Sequence, residues 1–68
     1  MTKEELQSWL NEYGLNAAKG AKVLDIQKSK MSEYLSGKRN VPGYISAHID
    51  TFKQLAPSKA EKIIEKRL

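Results

Sequence analysis

The side chains with chemistry to offer in this sequence are mostly basic, and they are gathered. Lys19, Lys22, Lys28, Lys30, Lys38 and Arg39 fall within residues 16–40 against only Asp25 and Glu33, so that segment carries +4. Residues 1–15 hold Lys3 against Glu4, Glu5 and Glu12 and carry −2, while residues 41–68 add +2. Positive charge concentrated in this way suits a polyanionic partner, although the same lysines also suit a solvated surface. Catalysis finds little support. His48 is the only histidine and there is no cysteine, so no second ligand of either kind could complete a metal site. His48 lies beside the apolar positions of its own segment, which fits a packing residue. Ser29, Ser32 and Ser36 lack a histidine with an acid partner nearby in sequence, as a nucleophilic serine would need. No Gly-rich phosphate loop occurs, and the carboxylates mostly sit beside lysines. The expectation is a non-enzymatic protein with no cofactor and no small-molecule substrate.

The elements that must position these side chains are short. A chain of 68 residues makes one domain, 1–68, with a modest core. No apolar run approaches the roughly 18 residues of a membrane span. The opening "MTKEELQSWL" holds two glutamates and no uninterrupted apolar stretch, unlike a secretory signal. A soluble, cytoplasmic protein that stays off membranes is expected. Helix punctuation predicts an all-α compact bundle of about five short helices. Thr2 with Glu5 forms a capping box ahead of Leu6, Trp9, Leu10 and Tyr13 at helical spacing. Gly14 suits the left-handed end of that helix, and Asn16 caps a second, "AAKGAKVL". A third helix runs from about 28 to 36 and ends at Gly37. Pro42 suits the first turn of a fourth, with Ile45, Ile49, Phe52 and Leu55 on its apolar side. Ser58 with Glu61 forms a second capping box, opening a terminal helix over 58–68.

Residues 17–36 supply, in order, what a helix-turn-helix needs. Ala17, Ala18, Gly20 and Ala21 form a small face for a close crossing, and Leu24 is the last anchor of the first helix. Asp25 stands at the turn, where positive φ is required and Asp or Asn is the best tolerated residue after Gly. Ile26 plugs the core, and Met31, Tyr34 and Leu35 anchor the second helix. Gln27, Lys28, Ser29, Lys30, Ser32 and Glu33 remain outside.

The stretch "NAAKGAKVLDIQKSKMSEYLSGKR" resembles the helix-turn-helix (about 16–37) of the Cro/lambda-repressor family (XRE). That pattern runs Ser-Gln, Leu-Ala, Leu-Gly-Val-Ser, a variable trio, Val-Ser, an aromatic residue and Ser-Gly. Asn16 and Ala17 stand at Ser-Gln, Gly20 and Ala21 at Leu-Ala, and Leu24 to Gln27 at Leu-Gly-Val-Ser. Met31 and Ser32 stand at Val-Ser, Tyr34 at the aromatic, and Ser36 and Gly37 at Ser-Gly. Three positions depart from it. Ala17 replaces a glutamine that helps hold a phosphate. Gly20 replaces a large apolar residue, leaving a gap for Trp9 or Phe52 to fill. Gln27 is a weaker helix cap than serine or threonine.

The resemblance implies a sequence-specific regulator of double-stranded DNA, a repressor of the small phage or mobile-element type acting on a pseudo-palindromic operator, associated with the nucleoid. It implies base reading by Gln27, Lys28, Ser29, Ser32 and Glu33. It implies phosphate contact by Asn16 and Ala17 at a helix N-terminus, by Lys19 and Lys30, and by Lys38, Arg39 and Asn40. It also implies a homodimer, forming on DNA if not before. The terminal helix, with Ala60, Ile63, Ile64 and Leu68 on one side, is too short to stand alone. Ile63 and Ile64 are expected at or just under the dimer contact, with Leu68 at its edge. The competing reading is a helix-turn-helix antitoxin or adaptor whose main partner is another protein. An RNA-binding helical domain fits less well, because Trp9 and the tyrosines are used in packing instead of forming a stacking platform.

Overall fold

Local signals start and stop most of the helices. In the computed structural model, which describes residues 1–68, the chain forms α1 (Lys3–Glu12), α2 (Ala17–Leu24), α3 (Lys28–Ser36), α4 (Gly43–Gln54) and α5 (Pro57–Arg67), with no strand. At the start of α1, Thr2 Oγ1 accepts from the Glu5 N–H at 3.2 Å and Glu5 Oε1 accepts from the Thr2 N–H at 3.3 Å. Asn16 Oδ1 accepts from the Lys19 N–H at 2.8 Å and opens α2. Asp25 closes α2 in the left-handed region, φ 56 and ψ 47, so the chain turns sharply into α3. Gly37, at φ 83, closes α3 in the same way.

Two starts differ from expectation. Pro42 stands just ahead of α4, extended at ψ 156, with its carbonyl accepting from the Ile45 and Ser46 N–H groups at 3.1 and 3.2 Å. The capping box of Ser58 and Glu61 does not form. Pro57, whose ring presets a helical φ, takes the first helical position of α5. The Ala56 carbonyl then accepts from the Lys59 and Ala60 N–H groups, both at 3.0 Å, which draws Ser58 inside the helix.

All five helices feed one core, in which no polar or charged residue is buried. Leu6, Trp9 and Leu10 enter from α1, Val23 and Leu24 from α2, Met31 and Tyr34 from α3, Ile45, Ile49 and Phe52 from α4, and Ala60 and Ile64 from α5. Gly20 is the tightest point. A Cβ there would overlap Leu10 Cδ2 and lie 3.4 Å from Met31 Cε. The place of a residue-20 side chain is therefore filled by Leu10 with Met31, and not by Trp9 or Phe52. In α5 the apolar side faces inward. Ile64 is 5% exposed and belongs to the chain's own core, Ile63 is half-buried against it, and Leu68 is 48% exposed. Ile64 thus lies just under the surface, within the chain's own core. No helix is long and apolar enough to cross a membrane.

Arg67 braces the end of α5 against α2 and α4. Its Nη1 donates to the Val23 carbonyl at 2.8 Å and to His48 Nε2 at 2.7 Å. Its guanidinium also lies 5.5 Å over the Phe52 ring. His48 also stacks on that ring, 5.4 Å between centroids and 20° from parallel. As the acceptor, His48 Nε2 carries no proton, so the imidazole is neutral. Burial, and secondarily the Arg67 charge, push its pKa below the ordinary 6.5.

Two outcomes test this packing. Gly20→Ala gains about 1 kcal/mol of helix propensity but overpacks Leu10 at a cost of about 1–3 kcal/mol. It should therefore lower the melting temperature, and it should cease to do so in a Leu10→Ala background, where the space is open. His48 has a lower pKa folded than unfolded, so the unfolded chain binds its proton more readily. The stability that His48 contributes is complete above the unfolded pKa and is lost as pH falls through the folded value. Melting temperature should drop between about pH 7.5 and pH 5.5, and His48→Gln should flatten that drop.

Candidate nucleic-acid interface

Met31 and Tyr34 fix which way α3 faces. Both are buried, with Leu35 and the turn residue Ile26 packed beside them. At 100° per residue, the opposite side carries Ser29, Ser32 and Ser36. Lys28 edges it on one side, Glu33 and Lys30 on the other. Lys28 and the three serines are exposed, whereas Lys30 and Glu33 are half-buried. Gln27 is the residue ahead of the helix and its side chain makes no capping bond. The N–H groups of the first turn of α3 have no acceptor within the helix.

The far end of α3 is tied together by one residue. The Glu33 carbonyl accepts from the Lys38 N–H at 3.0 Å, the Arg39 N–H at 3.3 Å and Ser36 Oγ at 3.1 Å. The Glu33 carboxylate forms an ion pair with Arg39 through Oε2 and Nε. A residue expected to read bases and one expected to hold phosphate are thus each other's partners. Sequence reasoning placed them on separate elements and did not foresee the pair. Glu33 Oε2 is shielded from solvent.

Lys3 and Tyr44 were also missed. The Lys3 ammonium lies over Gly37, 3.4 Å from where a Cβ would stand. With Tyr34, Arg39, Asn40 and Val41 it lines a shallow cleft beside the end of α3. Its sequence position, in the first turn of α1, gave no sign of this. Tyr44 is 66% exposed. Its phenol adjoins that of Tyr34, whose pKa is raised from 10.0, first by burial and then by Tyr44. A signal for Tyr44 did exist: it stands one residue out of phase with Ile45, Ile49 and Phe52.

The remaining candidates are dispersed. Asn16 and Ala17 open α2, and no hydrogen bond or ion pair joins them to the Glu33 cluster. The Lys19 N–H is taken by Asn16, while its side chain lines a cleft with Glu61 and Glu65 of α5. That acidic setting sets Lys19 apart from the other lysines. Asn40 and Lys38 are exposed, and Ile63, Ile64 and Leu68 lie on α5. No group of His, Cys, Asp or Glu side chains is placed to hold a metal ion. No protein-family model, curated protein or solved structure matches the chain.

Proposed function

We propose that the chain is a sequence-specific regulator that binds duplex DNA as members of the Cro/lambda-repressor family do, with α2 and α3 as its helix-turn-helix. The observation that carries this reading is the outward side of α3: Ser29, Ser32 and Ser36 in the middle, Lys28 at the edge, on a helix pinned by Met31 and Tyr34. The major groove is about 12 Å wide and a helix with its side chains about 10–12 Å across, so short outward side chains let a helix seat deeply. The Ser29 and Ser32 hydroxyls can both donate and accept there, and Lys28 donates to guanine O6 and N7. Phosphate contact falls to Lys38, Asn40 and Lys3 at one end of α3. It falls also to the free N–H groups at the start of α2.

A protein-binding antitoxin or adaptor would need an apolar patch. Tyr44 and Leu68 are the only large apolar side chains strongly exposed, which favours DNA. One short reading helix spans few base pairs. Specific binding therefore calls for two copies with α3 helices roughly 34 Å apart on a two-fold site. With Ile64 taken by the monomer core, Leu68 and the rim of Ile63 are what α5 offers to such pairing.

Affinity for duplex DNA should fall steeply with salt. At a log–log slope of about −0.9 per phosphate neutralised, a dimer with a few contacts per subunit should give roughly −4 to −8, and a flat titration would remove the reading. Sites selected from random duplexes then allow a second comparison. Lys28→Ala should weaken the selected site more than random DNA, by about 1–3 kcal/mol for a bidentate base contact, whereas Lys38→Ala should weaken both alike.

A further inference from the structure

We infer that Glu33 determines specificity by competing with DNA phosphate for Arg39, so that the arginine is released to the backbone only where a base engages the carboxylate. The inference rests on the DNA-binding reading above and adds a coupling between two residues.

The competition is built into the backbone. Gly37 turns the chain back at the end of α3, and the Glu33 carbonyl accepts from both the Lys38 and Arg39 N–H groups. Arg39 therefore stays within reach of Glu33 whatever else its side chain does. The two side chains form an ion pair at 57% and 35% exposure. Glu33 Oε2 is shielded, but Arg39 is the exposed partner, and a pair open to solvent on one side is weak enough for the guanidinium to exchange the carboxylate for another anion. While the pair holds, the guanidinium's charge is offset and Arg39 itself adds little to the attraction for a polyanion. Glu33 also stands at the edge of the outward side of α3, one turn after Ser29. If α3 enters the groove, its carboxylate approaches base edges.

There, the identity of the base decides the outcome. An exocyclic amino group in the groove, such as cytosine N4, donates to the carboxylate and compensates its charge. Arg39 is then free to exchange Glu33 for a phosphate. A base that presents only acceptors offers the carboxylate nothing, and releasing Arg39 would leave a negative group unpaired against bases and backbone. The pair persists, and that phosphate contact is not made. One base thus controls a contact several residues away from the side chain that reads it.

The test is a double-variant cycle of Glu33→Gln and Arg39→Ala. Each protein is titrated against a random duplex and against the duplex selected by the unaltered protein, with melting curves to show that all four are folded. Glu33→Gln should tighten random duplex about 3–10-fold and steepen the salt slope by about one unit, because one more cation becomes available. Arg39→Ala should cost less than about twofold on random duplex when Glu33 is present. It should cost about 5–10-fold there in the Glu33→Gln protein, and about as much on the selected duplex with Glu33 intact. An Arg39→Ala loss on random duplex that is the same with and without Glu33 overturns the inference. So does a Glu33→Gln protein that binds both duplexes more weakly, since the carboxylate would then be orienting Arg39 toward phosphate. In both cases salt-dependent binding by the unaltered protein leaves the DNA reading standing. If that protein binds no duplex, the reading and the inference fail together.

Discussion

The packing of the first three helices turns on the absence of a side chain at residue 20. Leu10 of α1 occupies that place, and Met31 of α3 touches it from the other side. Glycine in the middle of α2 weakens the helix locally, but it lets α1 and α3 meet across it. Because Met31 is also the inner anchor of α3, this contact sets the rotation of α3 about its own axis. A shift of one residue turns a helix by 100°, enough to bring Lys30 toward the core and to spoil the hydroxyl face. The turn between α2 and α3 holds the same register. Asp25 takes the left-handed conformation, and the Ile26 N–H donates to the Ala21 carbonyl at 2.9 Å, seating Ile26 against the core.

α2 is held at its other end by a more distant partner. Arg67 satisfies the Val23 carbonyl, one of the last-turn acceptors that a helix leaves open. It does so while lying over Phe52, the ring that also meets Trp9 and His48. Phe52 is thus a common point for α1, α4 and α5. Leu10 fixes the middle of α2 and Arg67 its end, so α3 is carried on a helix that is supported from both sides.

Signals acting over three or four residues were legible in the sequence. The Thr2–Glu5 box, the Asn16 cap, the turn at Asp25, the ends at Gly14 and Gly37, and the inward set of Met31 and Tyr34 all appear as expected. Pro57 shows where two local signals compete: its preset φ starts α5 ahead of Ser58, whose side chain then has no capping role. Contacts between distant segments were not legible. Arg67 reads in sequence as a solvated charge at a helix end, where it also suits the helix dipole. Nothing local reveals that it reaches a carbonyl forty-four positions away. The site divides in the same manner. The polar side of α3 follows from helical spacing, but the Glu33–Arg39 pair depends on how the chain folds back after Gly37. The positions of Lys3 and Tyr44 beside that corner depend on tertiary packing alone.

Trp9 separates the core from the outward side of α3 in an optically useful way. It is the only tryptophan, 1% exposed, flanked by Tyr13 at 6.0 Å and Phe52 at 5.7 Å, and its indole N–H has no acceptor. An indole without water or a polar partner emits toward the blue and shifts to the red only when the packing around it opens. Tyr44 has the opposite setting, exposed and beside Tyr34 at the end of α3. Tryptophan emission therefore follows the joint between α1 and α4, on the side of the core away from the serines of α3.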